Sequence, residues 1–93
     1  MKVINFKHVE DCFDGSVIKE ILFDTDINKE FIFKLSEGGE IKYYDNFARP
    51  FFKIRFAELY DLKGIEGNRT IRIHIKSPSE YTFEDFLKKL ENL

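Results

Sequence analysis

Five residues in the second half of the chain have types and spacings that suit chemistry: Lys53, Arg55, Arg72, His74 and Lys76. Side chains two apart on a β-strand point to the same face, so Lys53 with Arg55, and Arg72 with His74 and Lys76, each form a polar stripe. Guanidinium forks suit phosphate and carboxylate groups. If the two strands pair through the loop near Gly64 and Gly67, the stripes merge into one basic patch, with Tyr43 and Tyr44 at its border. Aromatic neighbours of such a patch can stack on bases. The functional reading is an anion-binding face for RNA or for an acidic protein. The competing reading is an ordinary solvated sheet face, with its arginines paired across strands to acids such as Glu20 or Glu40. From sequence alone that plainer reading is preferred.

Charge along the chain is uneven and concentrates cations in the block that holds these residues. Residues 1–46 hold six Lys and ten acids, whereas residues 47–76 hold seven basic residues and three acids. All four arginines (Arg49, Arg55, Arg69 and Arg72) fall in that middle block. The whole chain has a formal net charge of −2, which does not suggest a large nucleic-acid footprint.

Other groups able to do chemistry are scattered. Cys12, His8 and His74 lack the paired spacing that zinc requires, so no metal site is expected. Asp24, Asp26 and Asn28 open like a calcium loop, but Lys29 stands where glycine is needed and Leu35 where the closing Glu belongs. These residues read as turn formers. Ser16, Ser36, Ser77 and Ser79 lie beside turn or loop residues, and none sits in a nucleophile elbow. Residues 64–68 carry neither the lysine nor the spaced glycines of a phosphate loop. Acid–base catalysis would need His74 with one more group, Tyr60 or Lys53. No catalytic residue and no cofactor is assigned.

The elements that position these residues follow from periodicity. Ile71, Ile73 and Ile75 alternate with Thr70, Arg72, His74 and Lys76, which predicts a strand buried on one face. Phe52, Ile54 and Phe56 alternate with Lys53 and Arg55 in the same way, and Pro50 suits the start of that strand. Phe31, Phe33 and Leu35, followed by Gly38-Gly39, Ile41 and Tyr43, read as a hairpin. Residues 3–9 read as a first strand. Residues 17–23 fit helical spacing as well, but their β-branched content after the Asp14-Gly15 turn favours strand. Near the end, Thr82 stands as an N-cap before Glu84 and Asp85. Phe83, Phe86, Leu87 and Leu90 then form one helical stripe.

The expected fold is α+β: a mainly antiparallel sheet of about five or six strands with one C-terminal amphipathic helix on a face. Residues 1–93 suit a single domain. Phe52, Ile54, Phe56, Ile71, Ile73, Ile75, Phe83, Phe86, Leu87 and Leu90 are expected to share a core. One cysteine, a charged start and no long apolar run point to a cytoplasmic protein with no membrane partner. The first functional expectation is a small non-catalytic accessory module that contacts another protein through a sheet face or edge. The alternative is an RNA-binding protein, with ribonuclease activity as its extension, using Lys53, Arg55, Arg72, His74 and Lys76.

Overall fold

The structure is a computed structural model that describes residues 1–93. Eight elements follow in chain order. They are strands β1 (Val3–Asp11) and β2 (Val17–Phe23), helix α1 (Lys29–Leu35), strands β3 (Glu40–Tyr44), β4 (Phe51–Phe56), β5 (Tyr60–Ile65) and β6 (Thr70–Ile75), and helix α2 (Phe83–Glu91). All six strands form one antiparallel sheet in the order β1-β2-β6-β5-β4-β3. The class is α+β, with two helices rather than one. No helix is long and apolar enough to cross a membrane.

Alternation along the strands sends one set of side chains into the core. Ile21 and Phe23 of β2, Phe52 and Ile54 of β4, Tyr60 and Leu62 of β5, and Ile71, Ile73 and Ile75 of β6 are buried. They pack against Ile32 and Leu35 of α1 and Phe86 of α2 in one cluster. The expected β6 register is therefore observed, with Ile73 buried and Arg72 exposed. Phe56, Phe83 and Leu90 are half-buried against this core, and Leu87 is also half-buried.

Two expectations need correction. Residues 29–35 are helical, not the first arm of a hairpin. The alternation of Phe31, Phe33 and Leu35 misled, because Ile32 and Leu35, three apart, are the buried pair, while Phe33 faces out. The helix starts where the Asn28 side chain accepts the Phe31 amide at 2.8 Å. A Glu30–Lys34 pair four residues apart supports it. The second correction concerns β4 and β6, which do not pair directly. Strand β5 lies between them and pairs with both. Gly64 allows that close layering, because a Cβ there would come within 2.9 Å of the Phe52 ring.

Helix α2 closes the core side. The Thr82 hydroxyl accepts the Asp85 amide at 3.1 Å and the Asp85 carboxylate accepts the Thr82 amide at 2.9 Å, a reciprocal cap. Near its other end, Lys89 lies 3.7 Å from the Phe56 ring centroid and donates to the Tyr60 hydroxyl at 3.0 Å. Tyr60 in turn stacks between Phe56 and Tyr81, each 4.5 Å away. With both helices on the core side, the opposite face of the sheet is left open.

Candidate functional site: the open face of the sheet

Strand register dictates what the open face displays. Lys42 opposes Lys53, Lys53 opposes Lys63, Lys63 opposes Arg72, Arg72 opposes Glu20, and Glu20 opposes Lys7. These residues form one straight row across all six strands. With strands about 4.8 Å apart, Lys42 to Arg72 spans roughly 14 Å.

Glu20 neutralises one end of the row. Its carboxylate meets Arg72 at 3.1 Å and Lys7 at 3.6 Å. Lys42, Lys53 and Lys63 pair with no carboxylate. Like charges placed directly opposite destabilise a sheet, so three exposed lysines in register oppose the fold's own stability.

On one side of the lysine row lies an apolar row. Tyr44 opposes Phe51 and Phe51 opposes Ile65, with Thr70 and Leu22 opposite each other farther along. The Tyr44 and Phe51 rings stack with centroids 5.2 Å apart and planes 26° from parallel. Tyr44 is 39 % exposed and Ile65 37 %, with Phe47 at 58 % in the adjoining loop. On the other side of the lysine row, Glu40, Arg55, Asp61, His74 and Ile18 form a mixed row.

The structure brings all five residues singled out from the sequence to this side of the sheet, with different partners. Lys53 is unpaired. Arg55 and Lys76 converge on Asp61 at 3.8 and 3.1 Å. Arg72 is held by Glu20, as the plainer reading of the sequence expected, whereas Glu40 opposes Arg55 without forming an ion pair. His74 Nε2 lies 2.8 Å from the Ser16 hydroxyl, which also contacts Asp14 at 2.6 Å. Since that hydroxyl has one proton and Asp14 can only accept it, His74 Nε2 donates to Ser16. The Ser16 hydroxyl and amide hold the Asp14 carboxyl below its ordinary range. Ser16 is 1 % exposed, so this chain orders the β1–β2 turn against β6 and offers no accessible nucleophile.

Tyr60 is buried on the core side, away from His74. Lys53 and His74 do line one concavity of about 130 Å³, together with Asp61, Lys63 and Arg72. Cys12 contacts Glu10, and His8 contacts Asp11, so neither meets His74. Asp24 accepts the Lys2 amide, Asp26 pairs with Arg69 and Asn28 caps α1.

The chain matches no family model, no curated protein and no solved structure.

Residues of this face not singled out from the sequence are Lys42, Lys63, Phe51, Ile65 and Asn68, and Thr70 was placed on the polar face of its strand without a role. Lys63 was the recoverable one: Tyr60, Leu62 and Gly64 alternate with Asp61, Lys63 and Ile65 as a strand does. Tyr44 belongs to this surface, whereas Tyr43 points to the core side and donates to Glu66 at 2.6 Å. That hydrogen bond to a carboxylate pushes the Tyr43 phenol up to about 12. The largest concavity, about 490 Å³, lies elsewhere, between the helices and the start of β1. It is lined mainly by apolar residues, including Val3, Phe31 and Leu90, with only Lys2 and Glu91 as charged neighbours.

Proposed function

We propose that this protein is a non-catalytic binding module whose open sheet face captures single-stranded nucleic acid through its phosphates. One observation carries the reading: Lys42, Lys53 and Lys63 stand in register without acidic partners, beside a stacked aromatic pair. A sheet would relieve that repulsion if a polyanion lay along the row. The three lysines reach across roughly 10 Å, which suits two or three consecutive phosphates rather than a long duplex groove. The negative net charge of the chain limits binding to this stripe. A cytoplasmic setting accords with the single free cysteine.

The test is fluorescence anisotropy of a labelled single-stranded oligonucleotide titrated at several salt concentrations. Three phosphates neutralised on a single strand give a slope of log K against log salt near −2. The Lys53→Gln, Lys63→Gln double variant is expected to flatten that slope to about −1 and to weaken binding at low salt. No binding at low salt, or an unchanged slope in the double variant, refutes the proposal.

A protein partner is the second reading, carried by the uncovered edge of β1. The strand runs nine residues and pairs only with β2. Ile4 is 60 % exposed on it. Irregularities after Val3 and His8 shorten the regular ladder a partner strand would extend. A partner recovered with the purified protein, and lost when Asn5 is replaced by proline, is the expected sign of this mode.

A further inference from the structure

Next to the lysine row, the open face holds a slot of about 330 Å³. Phe51 and Ile65 line it towards β4, and Thr70 and Arg72 line it from β6, with Lys63, Asn68 and the Glu20 carboxylate completing its polar lining. We infer that this slot holds a nucleobase, so that the ligand is recognised by its bases as well as by its phosphates. The inference rests on the reading of the lysine row as a phosphate track.

Four features of the slot support a base. Its size is at the lower end of small-molecule pockets, which suits a flat ring better than a peptide side chain with its backbone. Phe51 is already half of a stacked aromatic pair, and a base laid against it would extend the stack that Tyr44 begins. A cation adjoins it: Lys63 and Arg72 line both this slot and the concavity on the far side of the row, and because Glu20, which also lines the slot, holds Arg72, Lys63 is the cation left free for a phosphate. A base in the slot therefore leaves its own phosphate at the row.

Polar groups suited to a base edge complete the site. The Asn68 side-chain oxygen accepts from Arg49, which fixes the amide orientation and leaves its Nδ2 without a protein partner. The Thr70 hydroxyl makes no hydrogen bond within the protein. The amide supplies a donor, and the hydroxyl supplies either role. A donor fixed by Arg49 favours bases that present a carbonyl oxygen at that edge. An acidic peptide would use the lysines and leave this slot unused.

The decisive comparison sets an oligothymidylate against an abasic oligomer of the same length and sugar-phosphate backbone, at one salt concentration. The base-bearing strand is expected to bind about tenfold tighter, the low end to middle of what one stacked base contributes. Phe51→Leu keeps an apolar wall but removes the ring. It should lower the affinity for the base-bearing strand to that of the abasic one and leave the abasic affinity unchanged. Equal affinity of the two oligomers for the unaltered protein overturns the base slot while leaving the phosphate track standing. Equal competition by poly-glutamate of matched charge overturns it too. Failure of both oligomers to bind removes both readings together.

Discussion

Replacing Lys53 by glutamate should strengthen the fold while weakening the interaction it serves. Lys53 sits at the centre of the unpaired row, directly opposite Lys42 on one side and Lys63 on the other. The change turns two like-charge cross-strand pairs into two opposite-charge pairs. Such pairs are each worth roughly 0.2–1 kcal/mol, and solvent screening of exposed groups takes the low part of that range. A net gain of about 0.5–1 kcal/mol follows. For a domain of this size each kcal/mol moves Tm by about 4–8 °C, so Tm should rise by about 2–8 °C. The gain must shrink toward zero in 1 M salt, where the Debye length is about 3 Å. Lys53→Gln should give part of the gain, since it removes repulsion without adding attraction. Anisotropy on the same variants should show the opposite ordering, with Lys53→Glu binding a single-stranded oligonucleotide about tenfold more weakly at low salt. Thermal melts followed by circular dichroism at two salt concentrations decide the matter. A Tm that falls, or a rise that survives 1 M salt, would mean that the lysines are not repelling one another and that the row has no latent anion site.

Further outcomes test the frame that holds this face. Phe86→Ala should cost about 3–5 kcal/mol in chemical denaturation, because Phe86 is fully buried against Tyr60 and its removal leaves a cavity. Thr82→Ala removes one half of the reciprocal cap on α2 and should cost about 1 kcal/mol by the same measurement. Alkaline pH should unfold the protein. Burial raises the phenols of Tyr60 and Tyr81, and the Glu66 hydrogen bond raises that of Tyr43 to about 12. Above about pH 10 the unfolded chain releases phenolic protons that the native chain keeps, so stability falls as pH rises from there through and beyond 12. Burial acts on Lys89 in the other sense, so its contribution grows with pH up to its unfolded value near 10.5. In a Tyr44→Phe variant, which removes the exposed tyrosine of the open face, tyrosinate absorbance at 295 nm should therefore rise together with the loss of near-ultraviolet circular dichroism, not ahead of it.

The sequence was most legible where burial forces a period. Ile71, Ile73 and Ile75 could occupy only one face of a strand, and that fixed Arg72 and His74 on the other. Thr82 and the stripe from Phe83 to Leu90 marked α2 through local hydrogen bonding and spacing alone. Helix α1 was misread because a seven-residue helix has too few turns for its period to outweigh a short alternation of large apolar residues. Asn28, which caps it, read from the sequence as a turn former, a role that residue type suits equally well. The site was legible only in part, for a topological reason. Which residues face solvent is a property of each strand, but which cations become neighbours is a property of strand order. Strand β5 intervenes between β4 and β6, and in doing so it inserts Lys63 between Lys53 and Arg72 and puts Asp61 beside Arg55. The expected patch of five thereby divides. Arg55 and Lys76 pair with Asp61 and His74 with Ser16, while Lys53 joins Lys42 and Lys63, which no carboxylate neutralises. A surface built for stability alone would place acids in that row, as it does with Glu20 beside Arg72 and Lys7. One row is thus neutralised at one end and bare at the other, and the bare β3–β4–β5 end, where the aromatic pair also lies, is the end that suits an anionic ligand.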